Sequence, residues 1–400
     1  MRLFDTARQA VVPFEPGDTV LMYTCGITPY DATHAGHAAT YLTYDVLQRR
    51  LRDLGHDTRC VRNVTDVDDD LLRKARELGI HYLDLAARET ARFDDDIEAL
   101  DLIPSWSEPR ATSAIADIRG FIGMVLDRGH AYQAGGAVYF DVNSWDRFGE
   151  LSGYDRDTML AYAAERGGRP DDPHKRDPLD FVLWQPSEEG EPAWESLWGP
   201  GRPGWHIECS ALAMRELGTT IDLHGGGGDL IFPHHECELA QSEAATGKPF
   251  VRHWMHQAMV FMDGEKMSKS LGNLVFVSDL RQRHDTRAIR LAIVSNHYRT
   301  AWEWHDQLMP ESDDRLVVWL QAAESDRSHQ SADGQASAEE PVVLAAVRAA
   351  LDADLDTPAA VKAIDEAAKT DARGVIAAAA LLGVDLNGGP PRLNPPQYEV

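Results

Sequence analysis

No apolar run in this 400-residue sequence approaches the roughly 18 residues that a membrane-crossing helix needs. The opening MRLFDTARQAVVPFEPGD carries charges where a secretory signal needs a short apolar stretch, so a cytoplasmic protein without membrane contact is expected. Cysteine is scarce. Cys25, Cys60, Cys209 and Cys237 are the four, too few and too far apart for a disulfide framework in a chain of this size. Metal binding and catalysis are the remaining uses for them. Basic residues are short as well: 39 Lys and Arg stand against 65 Asp and Glu, a net charge of -26. A long nucleic acid would meet a repulsive average field. There is no internal repeat. What is plentiful is apolar material, 43% of residues with 8% aromatic, enough for a large core and a principal domain with smaller attachments.

Residues 19–25, TVLMYTC, read as a short buried strand, and Tyr41, Tyr44, Leu47, Leu51 and Leu54 follow at helical spacing. Residues 58–65, TRCVRNVT, give the next strand, so the chain opens with a βαβ unit of a parallel sheet. Such sheets bind ligands at their strand C-terminal ends. From 71 to 133 the pattern is mostly helical and from 145 to 203 it is loop-rich, which marks 71–203 as an insertion. Strand character returns at 221–223 and 258–262, each followed by a Gly-containing loop. An α/β catalytic domain built from 1–70 and 204–300 is therefore expected. Residues 301–324 form a helical connection, the polar stretch 325–340 a mobile linker, and 341–386 a small helical module from the Ala- and Leu-rich runs 341–351 and 357–383. The tail 387–400, with Gly389, Pro390, Pro391, Pro395 and Pro396, is expected to be disordered.

His34-Ala35-Gly36-His37 lies between the first strand and its helix, where free N–H groups and the helix dipole favour phosphate. Alone, so short a string also fits two solvent-facing loop histidines. Residues 265–273, EKMSKSLGN, offer two lysines and a glycine in an otherwise acidic chain, point charges suited to a polyphosphate. A third group comprises Cys25, Cys209 in GWHIECSA, and His234 with Glu238 in FPHHECELAQ. Pro233 suits a helix start, and His234 and Glu238 fall one turn apart on one face. Two thiolates, an imidazole and a carboxylate are zinc donors, although each residue singly also fits ordinary burial or a helix start. Cys237 is a rival donor pointing another way from the same helix, with a core role as its alternative. Cys60, within a strand, is read as structural.

In this order and at this separation, H-A-G-H and K-M-S-K-S resemble the paired motifs of class I aminoacyl-tRNA synthetases. The resemblance implies a Rossmann-like parallel sheet, ATP with Mg2+ as substrate, and His34, His37, Lys266 and Lys269 stabilising charge on the α-phosphate while a carboxylate displaces pyrophosphate. Catalysis is then mostly positioning and electrostatics. Over most of 19–300, GWHIECSA, DLHGGGGDLIFPHHE and MDGEKMSKSLGN resemble cysteinyl-tRNA synthetase, whose zinc binds the substrate thiol. This implies Zn2+ on Cys25, Cys209, His234 and Glu238. Zinc lowers a coordinated thiol's pKa and binds the thiolate at about 2.3 Å. Serine offers no such contact, and a site built on one demanded contact rejects the analogue by roughly 10⁴ without editing.

The strings CGITPYDATHAGHAATYL, SGYDRDTML and ERGG at Glu165 to Gly168 resemble the cysteine ligases of mycothiol biosynthesis. Those enzymes join L-cysteine, through its adenylate, to the amine of glucosaminyl-inositol, releasing AMP and pyrophosphate. By motif, Cys25, Gly26, Ile27, Thr28, Gly36, Thr40, Asn63, Val64, Thr65, Trp205, Gly227, Gly228, Asp229 and Val260 would surround cysteinyl-adenylate, with Trp205 as a wall. The glycines also fit tight turns and Trp205 a packed aromatic. Ala35, Gly228, Arg169 and Glu238 depart from the ligase pattern, which leaves room for a paralogue using another small amine. Residues 301–400 hold 7 Lys and Arg against 18 Asp and Glu, which suits a small acceptor rather than tRNA. A short cysteinyl-tRNA synthetase is the enzymatic alternative. A non-catalytic cysteine or nucleotide sensor is a third reading, opposed by the intact motifs. A monomer is expected.

Overall fold

The computed structural model describes residues 1–30, 32–267, 272–332 and 340–387. Strand β1 (Thr19–Ile27), helix α1 (Ala35–Asp53) and strand β2 (Asp57–Val64) form the expected βαβ unit, with Met22 opposite Cys60. After the insertion come α2 (Trp205–Leu217), β3 (Leu223–Gly227), α3 (Glu236–Thr246) and β4 (Trp254–Gln257). The sheet order is β4-β3-β1-β2 and every pairing is parallel. Helical crossovers make it so, since parallel neighbours need a long return. The carboxyl ends of all four strands therefore lie along one edge.

The later strands are displaced from their expected places. The run at 224–227 that reads as a loop is itself β3, because α1 packs too closely for side chains: a Cβ on Gly225 would lie 2.2 Å from the Tyr44 hydroxyl oxygen. That hydroxyl donates to Gly226 O at 3.2 Å and Met255 O at 2.6 Å. Residues Val260–Met262 do form a strand, but in a separate small sheet with Glu265–Lys266 and Trp302–Glu303.

The insertion holds helices Asp69–Leu78, Tyr82–Ala99 and Ile115–Asp127, then an antiparallel sheet of Ala131–Ala134, Ala137–Phe140, Phe181–Gln185 and Arg202–Pro203. The stretch 145–203 is mostly loop, as expected, but it also holds helix Arg156–Glu165 and the strand carrying buried Phe181, Leu183 and Trp184.

The first half of the expected linker is helical. Helix Leu308–Ala332 runs into it, held by buried Asp326, whose carboxylate accepts from Gly374 N at 3.0 Å and Ile376 N at 3.1 Å. Residues 333–339 and the tail 388–400 lie outside the described residues. The C-terminal module contains Val342–Asp352, Thr357–Thr370 and Val375–Leu381, the run 357–383 being split at Asp371 to Gly374. Its Val347, Leu351 and Ile364 share one core with Leu47 and Leu291. Buried Arg290 ties the parts together, donating to Leu382 O at 2.6 Å, Leu100 O at 2.9 Å and the Asp45 carboxylate. Burial alone would raise the Asp45 carboxyl, but Arg290 and Arg49 outweigh it and hold it below the usual range. Among the described residues no helix is long and apolar enough to cross a membrane.

Candidate functional site

Three elements bring four donors together. β1 carries Cys25 near its carboxyl end, α2 carries Cys209, and the approach to α3 and its first turn carry His234 and Glu238. Cys25 Sγ lies 4.0 Å from Cys209 Sγ and 3.4 Å from Glu238 Oε1, and His234 Nε2 lies 3.0 Å from Glu238 Oε1. All four are buried, and their donor atoms fall within 4.8 Å of one another. Cys237 stays outside this group, packed in a hydrophobic core with its thiol pushed up by burial. Cys60 is likewise core.

The members of the cluster set one another's charge. Burial would raise the Glu238 carboxyl, but His224 and His234 bring it to about 2. The hydrogen bond with Cys25 brings the Cys209 thiol to about 6, while burial pushes Cys25 up. Burial would lower His234, yet Glu238 and Cys209 raise it to about 10. A proton on His234 thereby offsets one of the two negative charges on Cys209 and Glu238, a role that a divalent ion on the same atoms would take over.

Sequence reasoning missed the histidines behind this group. His224 Nε2 lies 3.1 Å from Glu238 Oε2, and His235 Nε2 lies 3.3 Å from Cys25 Sγ, so Cys25, His224, His235 and Glu238 form a second possible donor set. His235 Nδ1 is 2.7 Å from His256 Nε2, whose Nδ1 is 2.7 Å from Thr6 Oγ1. Burial holds His206 and His235 well below the ordinary imidazole value and His256 at about 3, so these rings are neutral. His206 Nδ1 in turn lies 2.9 Å from His234 Nδ1, and the Trp205 ring packs 4.3 Å from that of His234. The doubled histidine of FPHHE was the available signal, but only the fold shows that His235 also faces inward.

Most of the residues expected around a nucleotide collect at the same sheet edge. Gly26 N–H donates to Asn63 Oδ1 at 2.9 Å, and a Cβ on Gly26 would fall 1.6 Å from Asn63 O, so the two strand ends touch as only glycine allows. Asn63 Nδ2 donates to Thr65 Oγ1 at 3.1 Å, and Thr65 N–H to Ile27 O at 2.9 Å. Val64 ends β2 and Thr28 follows β1. His34 caps α1, its Nδ1 accepting from Gly36 N–H at 3.1 Å, and its ring stacks on His37 at 3.8 Å. Thr40 Oγ1 donates to Gly36 O at 3.2 Å. Gly227 and Gly228 lead tightly into Asp229, whose Oδ1 would lie 2.5 Å from a Cβ on Gly227. Buried Val260 accepts from Met267 N–H at 3.3 Å. Ala35 N–H bonds to Val275 O at 2.8 Å and Val277 N–H to Thr33 O at 3.0 Å, joining the start of α1 to the chain that follows the lysine motif. The backbone of Lys266 pairs with Phe261; its side chain, and all of Lys269, lie outside the described residues.

The family model described as tRNA synthetases class I (C) catalytic domain matches residues 11–314. The chain is 48% identical to the L-cysteine:1D-myo-inositol 2-amino-2-deoxy-alpha-D-glucopyranoside ligase of Rhodococcus jostii, over 96% of this chain and 95% of that protein. It is 50% identical to the ligase of the same name from Stackebrandtia nassauensis, over 94% and 86%. Mycobacterium tuberculosis methionyl-tRNA synthetase in complex with methionyl-adenylate superposes with a TM-score of 0.66 at 17% identity, covering 88% of this chain and 82% of that one. That likeness is one of fold. The chain therefore belongs to the family of class I (C) tRNA synthetase catalytic domains and, within it, to the ATP-dependent L-cysteine:1D-myo-inositol 2-amino-2-deoxy-alpha-D-glucopyranoside ligases.

Proposed function

We propose that this ligase activates L-cysteine with ATP as cysteinyl-AMP and transfers the cysteinyl group to the amine of glucosaminyl-inositol. The observation that supports the reading is a shared strand end: Cys25 belongs to the donor set, and the next residue, Gly26, is held against Asn63, both expected around the nucleotide. A metal-held thiol and its adenylate would meet there. Zinc, with bonds of about 2.3 Å to sulfur and about 2.0–2.1 Å to nitrogen or oxygen, places tetrahedral donors roughly 3.3–3.8 Å apart. The separations of 4.0, 3.4 and 3.0 Å among Cys25, Cys209, Glu238 and His234 scatter around that range. On Cys25, Cys209, His234 and Glu238, zinc would supply the soft contact that selects a substrate thiolate.

In the first step the cysteine carboxylate attacks the α-phosphorus of ATP, carried with Mg2+, and pyrophosphate leaves. His34 and His37, at the start of α1, and Lys266 and Lys269 share the phosphate charge. In the second step the neutral amine attacks the carbonyl carbon, the acyl–phosphate bond breaks, AMP leaves, and the amine gives up its proton. The acidic stretch 301–400 disfavours tRNA as acceptor, and a cytoplasmic setting suits the substrates. Cysteine-dependent pyrophosphate–ATP exchange tests the first step. Exchange with cysteine should exceed that with serine by roughly 10⁴; comparable exchange with serine, or none with cysteine, would overturn the reading.

A further inference from the structure

The ERGG motif belongs to the insertion, outside the sheet, yet it reaches the nucleotide edge. Helix Arg156–Glu165 begins with the Asp155 carboxylate accepting from Thr158 N–H at 2.8 Å. It ends where Arg166 N–H bonds to Tyr162 O at 3.0 Å. Gly167 then takes a φ of 81°, a left-handed value that glycine adopts without strain, and Gly168 N–H returns to Ala163 O at 2.7 Å. A Cβ on Gly168 would lie 2.8 Å from that same oxygen. The glycines turn the chain sharply away and leave the Arg166 side chain projecting from the helix end.

Its guanidinium packs over the Tyr162 ring at 4.5 Å and donates through Nη1 to the carbonyls of both Asp229 and Phe232. Those carbonyls flank a break. Gly228–Leu230 is a single tight turn, and Phe232, at φ -139° and ψ 135°, interrupts the helical run into α3 with extended backbone. Backbone carbonyls need donors, and at this interruption Arg166 supplies one to each. One charged nitrogen, Nη1, serves both. The segment it grips runs from the Gly227 turn to His234, and so joins the nucleotide edge to the donor set.

We infer that Arg166 is a positioning residue, holding the Asp229 and Phe232 carbonyls so that the Gly227–Asp229 turn stays shaped for the nucleotide. The inference rests on the adenylation reading above. It is tested with the full-length wild type, Arg166→Ala and Arg166→Lys, measuring KM for ATP and kcat in cysteine-dependent exchange together with the thermal midpoint. Arg166→Ala should raise the ATP KM on the order of tenfold with kcat within about threefold. Arg166→Lys, whose ammonium can donate to both carbonyls, should recover most of that loss. An ATP KM within about twofold of wild type in the alanine variant, whatever its thermal midpoint, would overturn the inference, as would a kcat loss with KM unchanged. If the alanine variant fails to fold, Lys against Gln at this position decides in the same way. Wild type without exchange would count against the adenylation reading instead, and ATP titration calorimetry on the same proteins would still decide the role of Arg166.

Discussion

Cys209→Ser is expected to strip the chain of zinc, lowering the content after dialysis from about one equivalent to a small fraction of it. Cys209 is 2% exposed and its thiol, at about 6, is the donor already inclined to ionise. A serine hydroxyl in its place is neither soft nor acidic enough to replace it. The three remaining donors would hold a metal far more weakly, and with it would go the contact that selects the cysteine thiol. KM for cysteine should then rise by about two to three orders of magnitude. Cys237→Ser is the internal control, because Cys237 lies outside both donor sets, and it should retain the metal. Elemental analysis of the two variants decides between them. Full zinc in Cys209→Ser with unchanged affinity for cysteine would remove Cys209 from the site.

The second large effect is expected at Lys269. By the resemblance of K-M-S-K-S, it would act on the charge that develops on the α-phosphate as pyrophosphate departs. Removing one preorganised donor of that kind costs about 10²–10³ in kcat. Lys269→Ala should therefore slow exchange by that factor and leave cysteine binding within about threefold, because the charge it stabilises belongs to the transition state. Stopped-flow exchange and cysteine titration, run on the same variant, separate the two. Equal losses in rate and binding would show uniform binding rather than transition-state stabilisation.

Much of the site was legible in the sequence because its chemistry is carried by unusual residues in fixed order. Cys25, Cys209, His234 and Glu238 were chosen as donors by type, by helical spacing and by resemblance, and the fold brings their atoms within 4.8 Å. His224, His235 and His256 escaped notice, since nothing local distinguishes a histidine that backs a donor from one that faces solvent. The neutrality of His235 and His256 comes first from burial, a tertiary property. The glycines of β3 read as a loop for a related reason. Glycine is disfavoured in strands until a neighbour demands its smallness, and that neighbour, Tyr44, is far away in sequence. The polar stretch 325–332 similarly reads as linker, whereas it is helical and its Asp326 ties down the start of the last helix. The C-terminal module was recognised as helical, but its shared core with the sheet was invisible to composition.

The most direct test of the account is mass spectrometry of the products formed by the purified enzyme from L-cysteine, ATP and glucosaminyl-inositol, with a parallel reaction offering tRNA. The account predicts an amide of cysteine with the amino sugar, with AMP and pyrophosphate released in equal amount, and no cysteinylated tRNA. Charged tRNA without any amide product would contradict it.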